Sequence, residues 1–282
     1  MSKMDSKLKR LKWIILIIAI ASFVLVLGII INNNYIKDNP VLDNKDVNSP
    51  PAVIGDIVYG NTRNIDNRIH VLEGDKYIPY IVIKTNNYGE NTVLLMREEV
   101  YPKEMMFRDC NLFGNGAAYY PGSLIDTFME NELYEMYSTD LKAIINYSPI
   151  KVHTRDYVAK IRNKDIPTFE TIYRHVFALS KTECGFTVDN NEEREAEGDF
   201  IPEVLEYAID KNIWLRSEAY GGDDTWASQL FGKNVLSERV ADISDNYIRP
   251  VFIVPDNVPI SFLYVGEDNS KKIYVFSVEK EG

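Results

Sequence analysis

A mixed α+β fold is predicted for residues 53–255. An apolar strand pair lies early in that stretch, two capped helical segments in its middle and further apolar strands late. The composition supports a folded chain: 45% hydrophobic and 12% aromatic over 282 residues, enough for a sizeable core and unlike a disordered or fibrous protein.

In chain order, residues 54–60 (IGDIVYG) read as a short strand closed by glycine. Residues 78–84 (IPYIVIK) and 92–96 (TVLLM) read as a hairpin around 85–91 (TNNYGEN), whose Asn and Gly residues tolerate positive φ. Ser123, with Asp126 three positions on, resembles a capping box ahead of a helix carrying Leu124, Phe128 and Tyr134 on one face. Ser138 or Thr139 caps a second helix over 140–146, and Pro149 ends it. Residues 176–180 (VFALS) read as a buried strand, 189–199 as an acidic loop and 202–209 as a short helix. Strands at 213–217 and 248–254 then bracket a loop of about thirty residues. A closing hairpin at 260–265 and 273–278 falls in a C-terminal extension, residues 256–282.

The region before the domain reads as a membrane anchor. Residues 13–31 (WIILIIAIASFVLVLGIII) form nineteen positions with no charge and no polar face. As a helix they measure roughly 28 Å, close to the hydrocarbon thickness of a bilayer. Cleavage after Ala21 would leave only about six apolar residues ahead of the small-residue site, too few for a secretory signal, so an uncleaved signal-anchor is expected. Net charge hides an asymmetry. The chain carries −11 overall, yet residues 1–12 hold Lys3, Lys7, Lys9, Arg10 and Lys12 against Asp5, leaving −15 on the rest. The positive-inside rule therefore places residues 1–12 in the cytoplasm, 13–31 in the bilayer and the rest outside the cell. Residues 32–52, rich in Asn, Asp and Pro, read as a tether. The acidic balance argues against nucleic acid as a partner. Two cysteines, Cys110 and Cys184, exclude a disulfide framework or a Cys-built zinc module, and leave a disulfide and two buried thiols equally open.

Several pieces in a fixed order carry a resemblance. They are Gly55-Asp56 with Tyr59-Gly60, Leu94-Leu95, the helix from Ser123, Val176–Ser180, a Trp214-Leu215-Arg216-Ser217 box and Arg249-Pro250-Val251-Phe252. Over residues 54–254 the sequence resembles an uncharacterised domain family of Gram-positive bacterial surface proteins. The box and the Arg-Pro strand are also similar to C-type-lectin-like domains, including the formylglycine-generating type. That resemblance implies two helices packed on small antiparallel sheets, with a long irregular loop carrying the ligand.

Catalytic chemistry is not legible. Cys110 and Cys184 stand 74 positions apart, far from the close cysteine pair of formylglycine-generating enzymes. His70, His153 and His175 are isolated, and no HExxH, GxSxG, Walker or GxGxxG pattern occurs. No enzyme, cofactor or metal is therefore expected. The 218–226 loop is the candidate binding segment, because Tyr220, Asp223, Asp224 and Trp226 combine ring faces with hydrogen-bonding groups suited to a sugar or peptide. Trp214, Arg216, Ser217, Arg249 and Pro250 are assigned to structure, the arginines pairing with a carboxylate or backbone carbonyls. The expected function is a membrane-anchored extracellular binding module for a glycan, wall polymer or protein. Two alternatives stand beside it: an accessory subunit of an envelope complex, marked by an apolar patch near the tether, and an extracellular enzyme on the formylglycine-generating scaffold.

Overall fold

The computed structural model describes residues 52–58, 67–113, 117–159, 167–186, 198–207, 210–218, 226–231, 235–265 and 271–280. All of them belong to the unit spanning residues 51–282. The 13–31 span and the tether up to residue 51 lie outside the described residues, among which no helix is long and apolar enough to cross a membrane.

Strands dominate, which overturns the α+β, C-type-lectin-like expectation. β1 (Arg68–Glu73), β2 (Lys76–Thr85), β3 (Thr92–Arg97), β6 (Val176–Phe177), β10 (Val251–Pro255), β11 (Ile260–Val265) and β12 (Lys271–Phe276) form a seven-stranded sheet in the order β11-β12-β1-β2-β3-β10-β6. Its named pairs are antiparallel except β1 with β12, which run parallel. β4 (Ser148–His153) pairs with β5 (Phe169–Arg174), and β7 (Ile213–Glu218), β8 (Trp226–Phe231) and β9 (Val235–Val240) make a separate meander. The helices are not two layers on small sheets but short covers on one large mixed sheet.

Individual elements explain where the expectation held and where it failed. The early hairpin forms as β2 and β3, and its turn places Asn86, Asn91 and Gly89 at positive φ. β3 is buried at every position, and Val251–Val254 beside it are buried on both faces, so this strand pair is the centre of the core. One face, through Tyr80 and Phe252, meets Tyr137 at the end of the helical run; Met96, on the other, lies beside Trp214 and Leu215 of β7. The helix from Ser123 also forms, as Leu124–Thr127, a π-helical segment Phe128–Leu133 and a last turn Tyr134–Met136. Ser123 Oγ accepts from the Asp126 amide at 3.1 Å, and Ser138 Oγ caps Thr139–Ile144 through the Leu141 amide at 3.1 Å.

Other segments differ. Gly55–Val58 is a single helical turn, not a strand, because the Ile54 and Gly55 amides are held by Val258 and Asp256 carbonyls. The supposed thirty-residue loop contains β8 and β9. Its strand pattern is masked by buried polar side chains that find partners: Ser228 Oγ donates to the Glu218 carbonyl at 2.5 Å, and Gln229 Oε1 accepts from Asn246 at 2.5 Å. The C-terminal hairpin does form as expected, as β11 and β12, and β12 joins it to the large sheet beside β1.

Candidate functional site

The Trp-Leu-Arg-Ser box lies inside the protein. Trp214 is fully buried, packs edge-on against Phe107 at 5.8 Å and donates its indole N–H to the Met105 carbonyl at 2.8 Å. Arg216 and Glu183 form a bidentate pair at 2.7 and 2.8 Å with both side chains 0% exposed. Further partners surround the pair. Arg216 also donates to the Ala178 and Lys151 carbonyls, while Glu183 accepts from the Ser180 amide and the Tyr88 hydroxyl. Ser217 Oγ accepts from the Lys181 amide at 2.9 Å. Arg249 donates to the carbonyls of Arg97, Glu98 and Tyr207, and burial pulls its guanidinium down to about 10. Pro250 is buried beside it, and its carbonyl accepts from the Arg97 amide at 3.0 Å. Trp214, Arg216, Ser217, Glu183 and Arg249 thus each bond to other groups of the protein, which ties the box into the fold. Cys110 and Cys184 are free thiols, and burial raises the Cys184 thiol far above its ordinary range.

Of the loop residues singled out as a binding segment, Tyr220, Asp223 and Asp224 lie outside the described residues. Trp226 opens β8 with 36% of its surface exposed.

A cluster of exposed aromatic side chains lies elsewhere, and local sequence did not reveal it. β4 and β5 pair with Ser148 opposite Arg174, so continuing that register sets Tyr147 opposite His175, with Tyr173 diagonal to it. The helical run supplies Glu130 and Tyr134 to the same place. Its wide turn, in which the Tyr134 amide bonds to Met129 five positions back, shifts these two from ordinary α-helical spacing. The result is a column of rings. His175 stacks on Tyr134 at 4.3 Å and 14°, Tyr147 lies over His175 at 4.6 Å, and Tyr173 lies 5.5 Å from Tyr147. Lys142 Nζ lies 5.5 Å from the Tyr134 centroid and pairs with Glu135 at 2.5 Å.

Two carboxylates on one helical face hold the column. Asp126 grips Arg174 in a bidentate pair at 2.7 and 2.8 Å, which keeps that guanidinium above its ordinary range. One turn on, Glu130 accepts from the His175 ring Nδ1 and amide, each at 2.8 Å, and from the Val176 amide at 3.3 Å. Burial, then Glu130 and Glu135, push the Tyr134 phenol up, so it remains a neutral hydrogen-bonding group. The outer members stay in solvent: Tyr147 is 57% and Tyr173 49% exposed. Thus a clamped inner part, His175 and Tyr134, carries two exposed ring faces.

Chemically the arrangement offers two exposed ring faces beside a carboxylate-held imidazole. Glu130 holds the imidazole at Nδ1, and the rings stacked on either side of it are Tyr134 and Tyr147. Among the described residues no group of three or more His, Cys, Asp or Glu side chains is placed to hold a metal ion.

A family model described as a domain of unknown function (DUF6273) matches residues 90–256, more than half of the chain, and the protein belongs to that family. The match includes the tyrosine column and most of the buried box's partners, and leaves out β1, β2, β11 and β12. No curated protein and no solved structure matches the chain.

Proposed function

We propose that this protein is a membrane-anchored, extracellular binding module on the bacterial cell surface, with Tyr147 and Tyr173 as the contact surface for a glycan or wall polymer. The observation that carries the reading is a pair of half-exposed tyrosine rings held in place by the clamped His175 and Tyr134. Burying large rings stabilises a fold, so leaving two together in water calls for another role. Their flat faces suit the C–H face of a sugar ring, and their hydroxyls, with nearby Glu and Lys side chains, suit its hydroxyl groups. Fixing the rings beforehand removes part of the ordering cost of binding.

The anchored, outward-facing topology rests on the uncharged 13–31 span and the basic residues ahead of it. Binding of the full chain, held in nanodiscs, to glycan and cell-wall polymer arrays tests the recognition role. Tyr147→Ala is expected to lower the signal about tenfold, by the loss of one stacking contact of roughly 1–1.5 kcal/mol, whereas Trp226→Ala is expected to leave it within about twofold. Loss with Trp226→Ala alone would move the site to the 218–226 segment. Absence of binding to every array member would remove the glycan reading.

A further inference from the structure

A second exposed aromatic group lies where the chain enters the domain. Val53 forms a bridge with Pro259, the Ile54 amide donates to the Val258 carbonyl at 2.9 Å, and the Ile260 amide donates to the Ala52 carbonyl at 3.0 Å. Residue 52 therefore sits against the start of β11, the terminal strand of the large sheet. Alternation along β11 puts Phe262 and Tyr264 on one face, 39% and 57% exposed, opposite Tyr274 and Lys272 of β12. The Phe262 and Tyr264 rings meet edge-on at 5.7 Å, and Lys272 Nζ lies 4.5 Å from the Phe262 centroid and 5.1 Å from that of Tyr274.

Resting on the anchored topology proposed above, we infer that this face of the β11–β12 hairpin lies on the outer bilayer surface, its rings at headgroup depth. Position is the first argument. Twenty residues, 32–51, separate the apolar span from Ala52 in sequence, and a flexible linker of that length would have an end-to-end distance of roughly 25 Å. The entry corner thus stays within reach of the surface. Chemistry is the second: phenyl and phenol rings with a lysine ammonium above them match the mixed apolar and polar headgroup zone.

Size decides between lipid and a protein partner. Rings of this kind bury roughly 150–250 Å² each, so the exposed fractions amount to about 200 Å². A stable protein interface takes roughly 800 Å² from each partner. A patch this small holds only when the attachment is intramolecular, and a short tether supplies an effective concentration of about millimolar order. Charge adds little in the sequence, where Glu267 and Asp268 precede and balance Lys271 and Lys272. The contact is therefore expected to need no anionic lipid.

Hydroxyl-radical footprinting of the full chain in nanodiscs tests this, with phosphatidylcholine alone and with phosphatidylglycerol added. Tyr264 is expected to oxidise about threefold more slowly than the comparably exposed Tyr147 in both lipids, and inserting twenty Gly/Ser residues after residue 45 is expected to narrow that gap. Equal oxidation of the two tyrosines in both lipids overturns the inference. Protection of Tyr264 in native membranes but in neither nanodisc also overturns it, in favour of a protein occupant. Release of the chain from membranes by alkaline extraction would instead defeat the anchored topology itself, and so distinguishes the two failures.

Discussion

The buried box around Trp214 and Arg216 and the tyrosine column around His175 both join aromatic rings to an ion-paired or hydrogen-bonded carboxylate, yet they do opposite things. In the box, Glu183 and Arg216 are wholly enclosed and bond further to other groups of the protein. In the column, Glu130 secures only the inner ring, and the outer rings face solvent. The distinctive short motif therefore marks a constraint on folding, while the exposed ring surface is built by strand register. Family membership does not separate them, since the matched residues 90–256 contain both.

Substitutions can break that contrast, and the box should give the largest effects. Arg216→Ala leaves the Glu183 carboxylate buried without its partner and is expected to cost about 3–5 kcal/mol, enough to unfold much of the population. Trp214→Ala is expected to cost a similar about 3–5 kcal/mol by opening a cavity next to Phe107 and Met96. Chemical denaturation of the variants measures both.

Glu130→Ala tests the junction between the two behaviours. It removes three bonds to the β5–β6 corner and is expected to cost about 2 kcal/mol, while also loosening His175 beneath Tyr147. A stability loss without any change in ligand binding would show that the clamp does not serve the outer rings. Tyr147→Ala with Tyr173→Ala should change stability by no more than about 0.5–1 kcal/mol, given how exposed both rings are.

The smallest effect concerns pH. The Glu98 carboxyl is held below its ordinary value of 4.5, first by its hydrogen bond from Arg68 and further by that charge, against the opposing effect of burial. A depressed folded value means the unfolded chain takes up its proton first as pH falls. The contribution is thus present above about 4.5 and is lost as pH drops towards the folded value. Denaturation curves at pH 7 and pH 4 should show a smaller acid loss for Glu98→Gln than for the natural chain; equal losses would contradict this assignment.

Much of the local structure was legible. Asn86, Gly89 and Asn91 between two apolar runs specify the β2–β3 turn, and Ser123 and Ser138 mark the helix starts. The fold class was not, because several strands hide their period. β5 reads FETIYR with only partial burial, and β8 buries Ser228 and Gln229 whose partners come from Glu218 and Asn246. The column was illegible for a related reason. Tyr134, Tyr147, Tyr173 and His175 come from three segments, and only the β4–β5 register and the π-helical turn bring them together.

The central claim is that the exposed tyrosines bind while the buried box folds. Paired measurement of wall-polymer binding and unfolding free energy, on the full chain and on the Tyr147→Ala/Tyr173→Ala variant, tests it most directly. The account predicts binding weaker by about tenfold or more, with stability changed by no more than about 1 kcal/mol. Undiminished binding in a stably folded double variant would contradict it.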